Sequence, residues 1–258
     1  SPGLHSAQIP IHLISTSAPQ HPSTPAPQHP RTPTAVSLLL NHLGSGISEL
    51  PVTALSEYAR CPQRFYFRFI EGHPGLGEGI AYSMQVGTLV HKALEHNLFD
   101  VMSLSPFAEA SWSHEVIQKA VNLARRFQQA PVYQPWRENA IAKEKQVRLQ
   151  LKEITFIGVV DLVGDNWILD YKSDRAISPH HHRFQLWAYA RALEYPEAHI
   201  AYLRHDYLHS FTAAELNSLT PEVEKLVTQI SAGNYQAKPS EDNCCVCPYL
   251  AICDFAIF

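Results

Sequence analysis

The segment that decides the fold is IGVVDLVGDNWILDYK, residues 157–172. Its β-branched and aromatic residues flank an Asp-Asn pair at 165–166, which predicts two antiparallel strands joined by a two-residue turn. In such a hairpin the two residue numbers of each cross-strand pair add up to the same total. We therefore expect Asp161 to lie opposite Asp170. Directly opposed side chains have Cβ atoms about 4.5–5.5 Å apart. The hairpin therefore brings two carboxylates together within apolar strands, although a loop of three or four residues would shift this register.

Two buried carboxylates at this separation favour a bound cation. Without one, burial and mutual repulsion force one of the acids to take up a proton. Oxygen ligands of this kind suit Mg²⁺ or Mn²⁺. Lys172 lies two residues beyond Asp170 and so projects from the same face of the strand, where it can orient water or stabilise charge on a phosphoryl group. The alternative is a surface hairpin with two solvated Asp side chains and a Lys salt bridge.

Around this hairpin the sequence predicts an α/β fold with a small mixed sheet flanked by helices. Residues 1–46 contain the Pro-rich run SAPQHPSTPAPQHPRTPT and are expected to form a linker or tail, with one folded domain over 47–258. Periodicity predicts helices over 56–70 with a break at Pro62, and over 82–99, 113–129, 182–193 and 212–233, the last one split at Pro221. It predicts strands within 145–171 and over 199–204.

Composition sets broad limits on the function. The 258 residues are 45% hydrophobic, which is enough for a core, and the net charge of −4 does not indicate a strongly basic nucleic-acid binder. No apolar run is long enough to span a membrane, and the first residues lack the pattern of a secretory signal. We therefore expect a cytoplasmic protein. Because the chain starts with Ser and a linker, we also expect a fragment of a longer polypeptide.

The five cysteines indicate a metal site rather than a secreted disulfide framework. Their number is odd, and all but Cys61 are crowded into CCVCPYLAIC near the end of the chain. Together with Cys61, the C-x2-C-x5-C spacing of Cys244, Cys247 and Cys253 offers four thiolates. Four thiolates suit either tetrahedral zinc or a [4Fe-4S] cluster. Cys245 competes with Cys244, but only Cys244 has the two-residue gap to Cys247 that is usual in chelating turns.

Several basic side chains allow two interpretations. Arg60, Arg64 and Arg68 recur every four residues, which predicts a basic ridge on one helical face. That ridge is either a solvated charge stripe or a DNA-binding surface that follows phosphates. The tract at 180–182 consists of three histidines, which we interpret as loop or helix-start residues. His91 lies between apolar residues of a predicted helix and is either a core residue or a ligand.

The motifs GTLVHKALEH, GVVD, LDYKSD and QLWAY follow one another in this order and with gaps that resemble the RecB family of PD-(D/E)XK nucleases. The resemblance implies a restriction-endonuclease-like core. It also implies that Mg²⁺ or Mn²⁺ is held by His91, Asp161, Asp170 and the carbonyl group of Tyr171. By the same resemblance, the catalytic residues are Asp161, Asp170, Lys172, Gln185 and Tyr189, and the helix with Gln185 and Tyr189 lies beside the active site, close to DNA.

A second resemblance concerns the cysteines. The stretches YARCPQRFYFRF and CPYLAIC are similar to those of AddB-type nuclease domains and of CRISPR adaptation nucleases. This implies a [4Fe-4S] cluster on Cys61, Cys244, Cys247 and Cys253 that joins the N- and C-terminal parts of the domain.

Together these resemblances predict a Mg²⁺-dependent deoxyribonuclease, the C-terminal nuclease domain of a helicase-nuclease that resects broken DNA ends for recombinational repair. The expected partners are single-stranded DNA or broken duplex ends, and an upstream helicase region or a partner helicase-nuclease subunit, with no membrane. One alternative is a stand-alone nuclease of the CRISPR adaptation or single-strand exonuclease type. The other is a non-catalytic DNA-binding module, against which the intact set of catalytic residues counts.

Overall fold

The computed structural model of the protein describes residues 47–75 and 78–257, with side chains described over 47–75 and 82–257. The linker expected over 1–46 lies outside the described residues. None of the helices in the described part of the chain combines the length and the apolar character needed to cross a bilayer.

The N-terminal half of the described chain is mainly helical. Its elements are β1 (Glu49–Pro51), α1 (Thr53–Arg60), α2 (Pro62–Phe65) with a π-helical turn (Tyr66–Ile70), α3 (Glu78–His96), α4 (Val101–Leu104), a 3-10 turn (Ser105–Phe107), α5 (His114–Gln129), a 3-10 turn (Pro131–Tyr133) and α6 (Gln134–Glu138).

The second half supplies most of the sheet and the helices that cover it. Its elements are β2 (Ala142–Leu151), β3 (Ile154–Val163), β4 (Trp167–Lys172), α7 (Pro179–Leu193), β5 (Glu197–Tyr202), β6 (Tyr207–Phe211), α8 (Ala213–Ser218), α9 (Thr220–Ser231), α10 (Glu241–Cys244) and a 3-10 turn (Leu250–Ile252).

These strands form one mixed sheet, as the sequence predicts. The path runs β1-β3-β4-β5-β6, and β2 pairs with β3 along its whole length. The β1/β3 and β4/β5 pairs are parallel, whereas the β2/β3, β3/β4 and β5/β6 pairs are antiparallel. Strand β4 therefore lies in the middle of the sheet, between β3 and β5.

The predicted hairpin register is confirmed. Leu162 pairs with Leu169, Val163 pairs with Ile168, and the N–H of Gly164 donates to the carbonyl of Trp167 at 3.0 Å. A Cβ atom at Gly164 would lie 2.0 Å from the Trp167 ring, so only glycine leaves room for this ring over the turn. The paired residues end at Leu162 and Leu169, and the next residues along the two strands are Asp161 and Asp170, which lie close enough for their charges to interact.

Each face of the sheet covers its own apolar core. Alternate strand residues point to opposite faces, so Ile168 packs with α1, α7, α8 and α9, whereas Leu169 packs with α3 and α5. In α5, Ser113 caps the first turn by accepting a hydrogen bond from the N–H of Val116, and buried residues recur every three or four positions down to Phe127. The active-site strands are thus fixed between two helical layers.

Several predicted boundaries need correction. The helix expected over 82–99 occupies 78–96, and the strands begin at Ala142 rather than Lys145. The expected split of the last long helix is present, with Pro221 in the first turn of α9. Sequence periodicity missed β1 and β6 because both are short strands at or near the edges of the sheet. Short strands offer too few alternating residues for a pattern to be recognised.

Candidate active site

Asp161 is the centre of the candidate site. It lies near the end of β3 and is only 4% exposed. Its Oδ2 accepts a 2.6 Å hydrogen bond from the N–H of Tyr171, and its Oδ1 lies 2.7 Å from Nδ1 of His91 on α3. The carboxylate therefore takes the backbone donor of the neighbouring strand, and it joins the sheet to the helix that carries His91.

Asp170 and Lys172 form the second part of the site, on the face of β4 that meets α7. Asp170 is 2% exposed, and its Oδ2 lies 2.5 Å from Nζ of Lys172. The amide of Gln185 donates from Nε2 to Oδ1 of Asp170 at 2.9 Å, while its Oε1 accepts from Lys172 at 3.1 Å. Gln185 also donates to the hydroxyl of Tyr189 at 3.1 Å. The Gln185 amide thus holds both the Asp170 carboxylate and the Lys172 ammonium group in place.

Gly158 makes room for this network. A Cβ atom at this position would lie 2.6 Å from Cε1 of Tyr189 and 2.9 Å from Cγ2 of Val52. Neither contact is possible without a shift, because real Cβ atoms do not approach so closely. The glycine of the GVVD motif is therefore required by the ring of Tyr189, which in turn supports Gln185.

Glu144 is a further member of the site that the sequence reasoning missed. Its carboxylate, the ring of His91 and the carboxylate of Asp161 offer ligand atoms that all lie within 4.8 Å of one another. The β2/β3 register continues on both sides of Glu144, but Glu144 itself has φ +49°, in the left-handed region that costs an L-residue about 1–2 kcal/mol. Strain of this kind is concentrated at functional sites. The only sequence signal was the register of β2 against β3.

Closely spaced acidic side chains shift the pKa values of several groups in the site. Burial and the nearby carboxylate of Asp161 raise the pKa of Glu144 to about 7. Burial alone would lower the pKa of His91, but Asp161 and Asp170 outweigh it and raise the pKa to about 9. Burial likewise works against the charge of Lys172, yet the carboxylate of Asp170 raises the pKa of Lys172 above its usual value. The cluster therefore retains protons and an ammonium group to balance its negative charge.

The residues present fit a divalent cation. Hard cations prefer carboxylate and carbonyl oxygens, and an imidazole nitrogen suits Mn²⁺ as well. Asp161 and Glu144 supply carboxylates that form one compact group with the ring of His91, and a proton bridges Nδ1 of His91 and Asp161 at 2.7 Å. Asp170 lies close enough for its charge to act on His91. A cation in place of that proton would neutralise the same charges.

Comparison with known proteins identifies the family. The sequence profile of the PD-(D/E)XK nuclease superfamily matches residues 49–254, which include every residue of the site. The chain belongs to the PD-(D/E)XK nuclease superfamily. Members of this superfamily are nucleases that use divalent metals. Closely spaced carboxylates, such as those of this domain, are suitable ligands for such metals.

The solved structure of a protein from Eubacterium rectale supports the fold of this PD-(D/E)XK domain. The crystal structure of a protein from Eubacterium rectale named "Putative exonuclease" has a TM-score of 0.56 and 11% identity, over 86% of this chain and 91% of that chain. The structure of SSO0001 has a TM-score of 0.42 and 15% identity, over 82% of this chain and 88% of that chain. At these identities the likeness concerns the fold alone. Among curated proteins, no sequence matches the chain.

The four predicted cluster cysteines of the PD-(D/E)XK domain line one pocket between its two ends. This pocket contains Cys61, Cys244, Cys247 and Cys253, while Cys245 is exposed and does not line it. Within the described residues, the only compact group of three ligand atoms is the one at Glu144, so the sulfur atoms are not drawn together as a zinc site requires. Thiolates around a tetrahedral zinc, at about 2.3 Å from the metal, would lie about 3.8 Å apart.

The arginine ridge predicted on one helical face is wrong. The chain is extended at Cys61, with φ −157° and ψ 113°, so Arg60 ends one helix and Arg64 belongs to the next. Arg64 and Arg68 both pair with Glu57, at 2.5 and 3.3 Å, and the side chain of Arg64 is only 13% exposed. Two of the three charges therefore hold α1 and α2 together.

The other predicted site residues lie close together in the structure. His91, Asp161, Asp170, Tyr171 and Lys172 converge at the ends of β3 and β4. Gln185 and Tyr189 are adjacent to them, but at 6% and 4% exposure they are enclosed behind the carboxylates rather than presented to a substrate. Gln185 hydrogen-bonds to Asp170 and Lys172, and Tyr189 accepts a hydrogen bond from Gln185.

Proposed function

We propose that this protein is a Mg²⁺-dependent DNA nuclease that hydrolyses phosphodiester bonds. The observation that carries the proposal is the hairpin register, which sets the buried carboxylates of Asp161 and Asp170 on adjacent strands with Lys172 on the same strand face as Asp170. Burying two acids lowers the stability of a protein. In phosphoryl transfer the same acids can hold a metal ion, and the adjacent lysine can stabilise charge on the phosphate.

Each residue has a separate role in this proposal. His91, Asp161, Asp170 and the carbonyl of Tyr171 would hold the metal, with Glu144 as an additional carboxylate ligand. A divalent cation bound there would acidify a water molecule and neutralise charge on the attacked phosphate. Lys172, kept charged by Asp170, would stabilise negative charge on the phosphoryl oxygens.

We further propose that the four pocket cysteines bind a [4Fe-4S] cluster that holds the two ends of the domain together. The proposal is supported by the pocket that Cys61, Cys244, Cys247 and Cys253 line together, and by the pKa of the Cys253 thiol, which burial and then the other three cysteines raise above its usual value. Existing contacts already bring the ends together: the N–H of Lys238 donates to Sγ of Cys61 at 3.4 Å, and Asn243 donates to the carbonyl of Arg60 at 3.1 Å.

The biological context that we propose is the C-terminal nuclease domain of a RecB/AddB-type helicase-nuclease that processes broken DNA ends. It rests on the order of the motifs around His91, Asp161, Asp170 and Gln185 and on the cysteine spacing. A stand-alone nuclease of the CRISPR adaptation type would share these motifs. The gene that encodes the chain distinguishes the two, since only the first places a helicase region upstream.

Cleavage of end-labelled DNA tests the proposed activity. The anaerobically purified domain is incubated with single-stranded and duplex DNA, with Mg²⁺ or with EDTA. We expect Mg²⁺-dependent products, and a loss of at least about 10³-fold in rate for Asp170→Asn, because the change removes a charged ligand and the partner of Lys172.

Asp165→Asn is the matched control, since Asp165 lies in the same hairpin but is exposed at the turn. It should cleave at the wild-type rate. If Asp170→Asn cleaves as fast as Asp165→Asn, the carboxylate hairpin is not the catalytic centre.

A further inference from the structure

The face of α7 that lies over the active site continues beyond Gln185 to a second polar pair. Tyr189, Gln185 and His182 are spaced four and three residues apart, so they share one side of the helix. Gln185 bonds to Asp170 and Lys172, and one turn earlier Nε2 of His182 lies 2.7 Å from Oδ2 of Asp174. The histidine tract thus supplies one residue that faces the substrate side of the site.

This pair lies where the site opens to solvent. Tyr189 and Gln185 are 4% and 6% exposed, whereas the side chains of His182 and Asp174 are 19% and 39% exposed. Exposure therefore increases along α7 from the enclosed amide network towards the helix start at Pro179. The start of the helix is therefore the part of this side of α7 that a ligand in solvent can reach.

The hydrogen bond to Asp174 determines which nitrogen of His182 is available. An ionised carboxylate can only accept, so Nε2 carries the proton of this bond. Burial acts against the charge of Asp174, but the bond from His182 and the charge of Lys172 outweigh it and hold its pKa below the usual value. Among the side chains that the structure describes, none is bonded to Nδ1 of His182, and with a proton on this nitrogen as well the ring can donate to an anionic ligand.

The surrounding charges favour an anion. Lys172 and Asp174 lie close enough for their charges to interact, and so do His181 and Arg60, which approaches from the end of α1. Arg183 does not belong to this group, because it pairs with Glu222 at 3.0 Å. Asp174 is the acid among the charges that act most strongly on His181.

We propose that His182, held by Asp174, binds the DNA phosphate next to the one at the metal centre. His182 lies about 4.5 Å from Gln185 along the helix axis, which is within reach of the next phosphate on an extended strand. His182 therefore acts as a substrate-binding residue, and Asp174 is the positioning residue that orients its ring. This inference rests on the proposed nuclease function.

Single-turnover cleavage of a labelled single-stranded oligonucleotide tests this role, with His182→Ala, His182→Gln and the control His180→Ala. His180 belongs to the same tract, is exposed, and has no place in the pair with Asp174. For His182→Ala we expect the DNA concentration at half-maximal rate to rise about tenfold, the loss of one charge-assisted contact, while the maximal rate changes less than threefold. His182→Gln should retain part of the affinity, and His180→Ala should behave as wild type.

Substrates with one neutral methylphosphonate identify the phosphate. With the wild-type protein, neutralising the phosphate next to the cleaved bond should weaken binding about as much as His182→Ala does, and the two changes together should cost no more than either alone. The proposal is overturned if the two penalties add at every position, or if His182→Ala lowers the maximal rate with affinity unchanged.

Fluorescence anisotropy without divalent metal separates this inference from the proposed activity. If the wild-type protein does not cleave with Mg²⁺, the nuclease proposal fails, yet weaker anisotropy binding by His182→Ala than by His180→Ala would still support the phosphate contact. If cleavage is normal and all variants bind equally, the phosphate contact alone is rejected.

Discussion

The carboxylate centre lies on the long central strands of the sheet, whereas the four pocket cysteines lie on short elements at the two ends of the domain. Strand β3 has 10 residues and carries Asp161 between two apolar cores, while the helix that ends at Cys244 has 4 residues and the turn before Cys253 has 3. Around the acids, backbone pairing and the Gln185 amide fix the geometry. Around the cysteines, a few hydrogen bonds and aromatic contacts hold the chain.

This difference indicates where a metal is needed for structure. Asp161 and Asp170 are held by hydrogen bonds from the N–H of Tyr171 and the amide of Gln185. Short elements cannot maintain their conformation alone, because nucleating a helix is unfavourable and few residues can be buried. We therefore expect the carboxylate site to keep its shape when metal is removed, and the cysteine end to lose it.

The largest expected effect follows from removing a ligand of the proposed cluster. Cys247→Ser should lower the melting temperature by about 10 °C or more, because it opens a loop of more than a hundred residues. Iron content and visible absorption should fall in parallel. Cys245→Ser is the matched control and should retain both, since Cys245 lies outside the pocket. A colourless wild-type protein that contains zinc would contradict the cluster assignment.

A substitution at Gly158 tests the rigidity of the carboxylate centre. Gly158→Ala should destabilise the domain by about 1–3 kcal/mol, as overpacking does, because its methyl group meets the Tyr189 ring. Cleavage should slow more than tenfold, since the shift reaches Gln185 and Asp170. Chemical denaturation and single-turnover kinetics give the two quantities. Normal kinetics in a destabilised variant would mean that Tyr189 does not position the site.

Glu144→Gln should have opposite effects on thermal stability without and with metal. The raised pKa of Glu144, about 7 in the folded protein, means that the folded state binds more protons than the unfolded state between the ordinary value and 7. This contribution to stability is present at low pH and is lost as the pH rises through about 7. The metal-free variant should therefore melt at a higher temperature than wild type at pH 8, with little difference at pH 4.

With Mn²⁺ bound, the wild-type protein should melt at a higher temperature than Glu144→Gln. Loss of a carboxylate ligand should weaken Mn²⁺ binding about tenfold by calorimetry, so wild type gains more stability from the ion. For the wild-type protein, binding should strengthen as the pH rises, because Mn²⁺ displaces the protons of Glu144 and His91. Equal Mn²⁺ affinity in both proteins would exclude Glu144 from the metal centre.

The smallest expected effect is that of Tyr189→Phe. The change removes one hydrogen bond to Gln185 and keeps the ring against Gly158, so stability should fall by about 0.5–1.5 kcal/mol. Cleavage should slow only a few-fold, because Gln185 keeps its bonds to Asp170 and Lys172. A loss as large as that of Gly158→Ala would show that the hydroxyl, and not the ring, fixes the site.

The sequence by itself determined the hairpin and its register. An Asp-Asn turn between β-branched runs leaves few ways to pair the strands, and a side-chain period of two then fixes which residues share a face. The helical motifs with His91 and Gln185 were also predictable, because their periodicity is long enough to be recognised.

Only the tertiary structure revealed Glu144, the role of Gly158 and the separation of Arg60 from Arg64. Each depends on contacts between elements distant in sequence, such as Gly158 with Tyr189, or on a local conformation such as the left-handed φ of Glu144. Periodicity describes one element at a time. It therefore cannot determine which side chains from separate elements meet, since packing between the elements decides that.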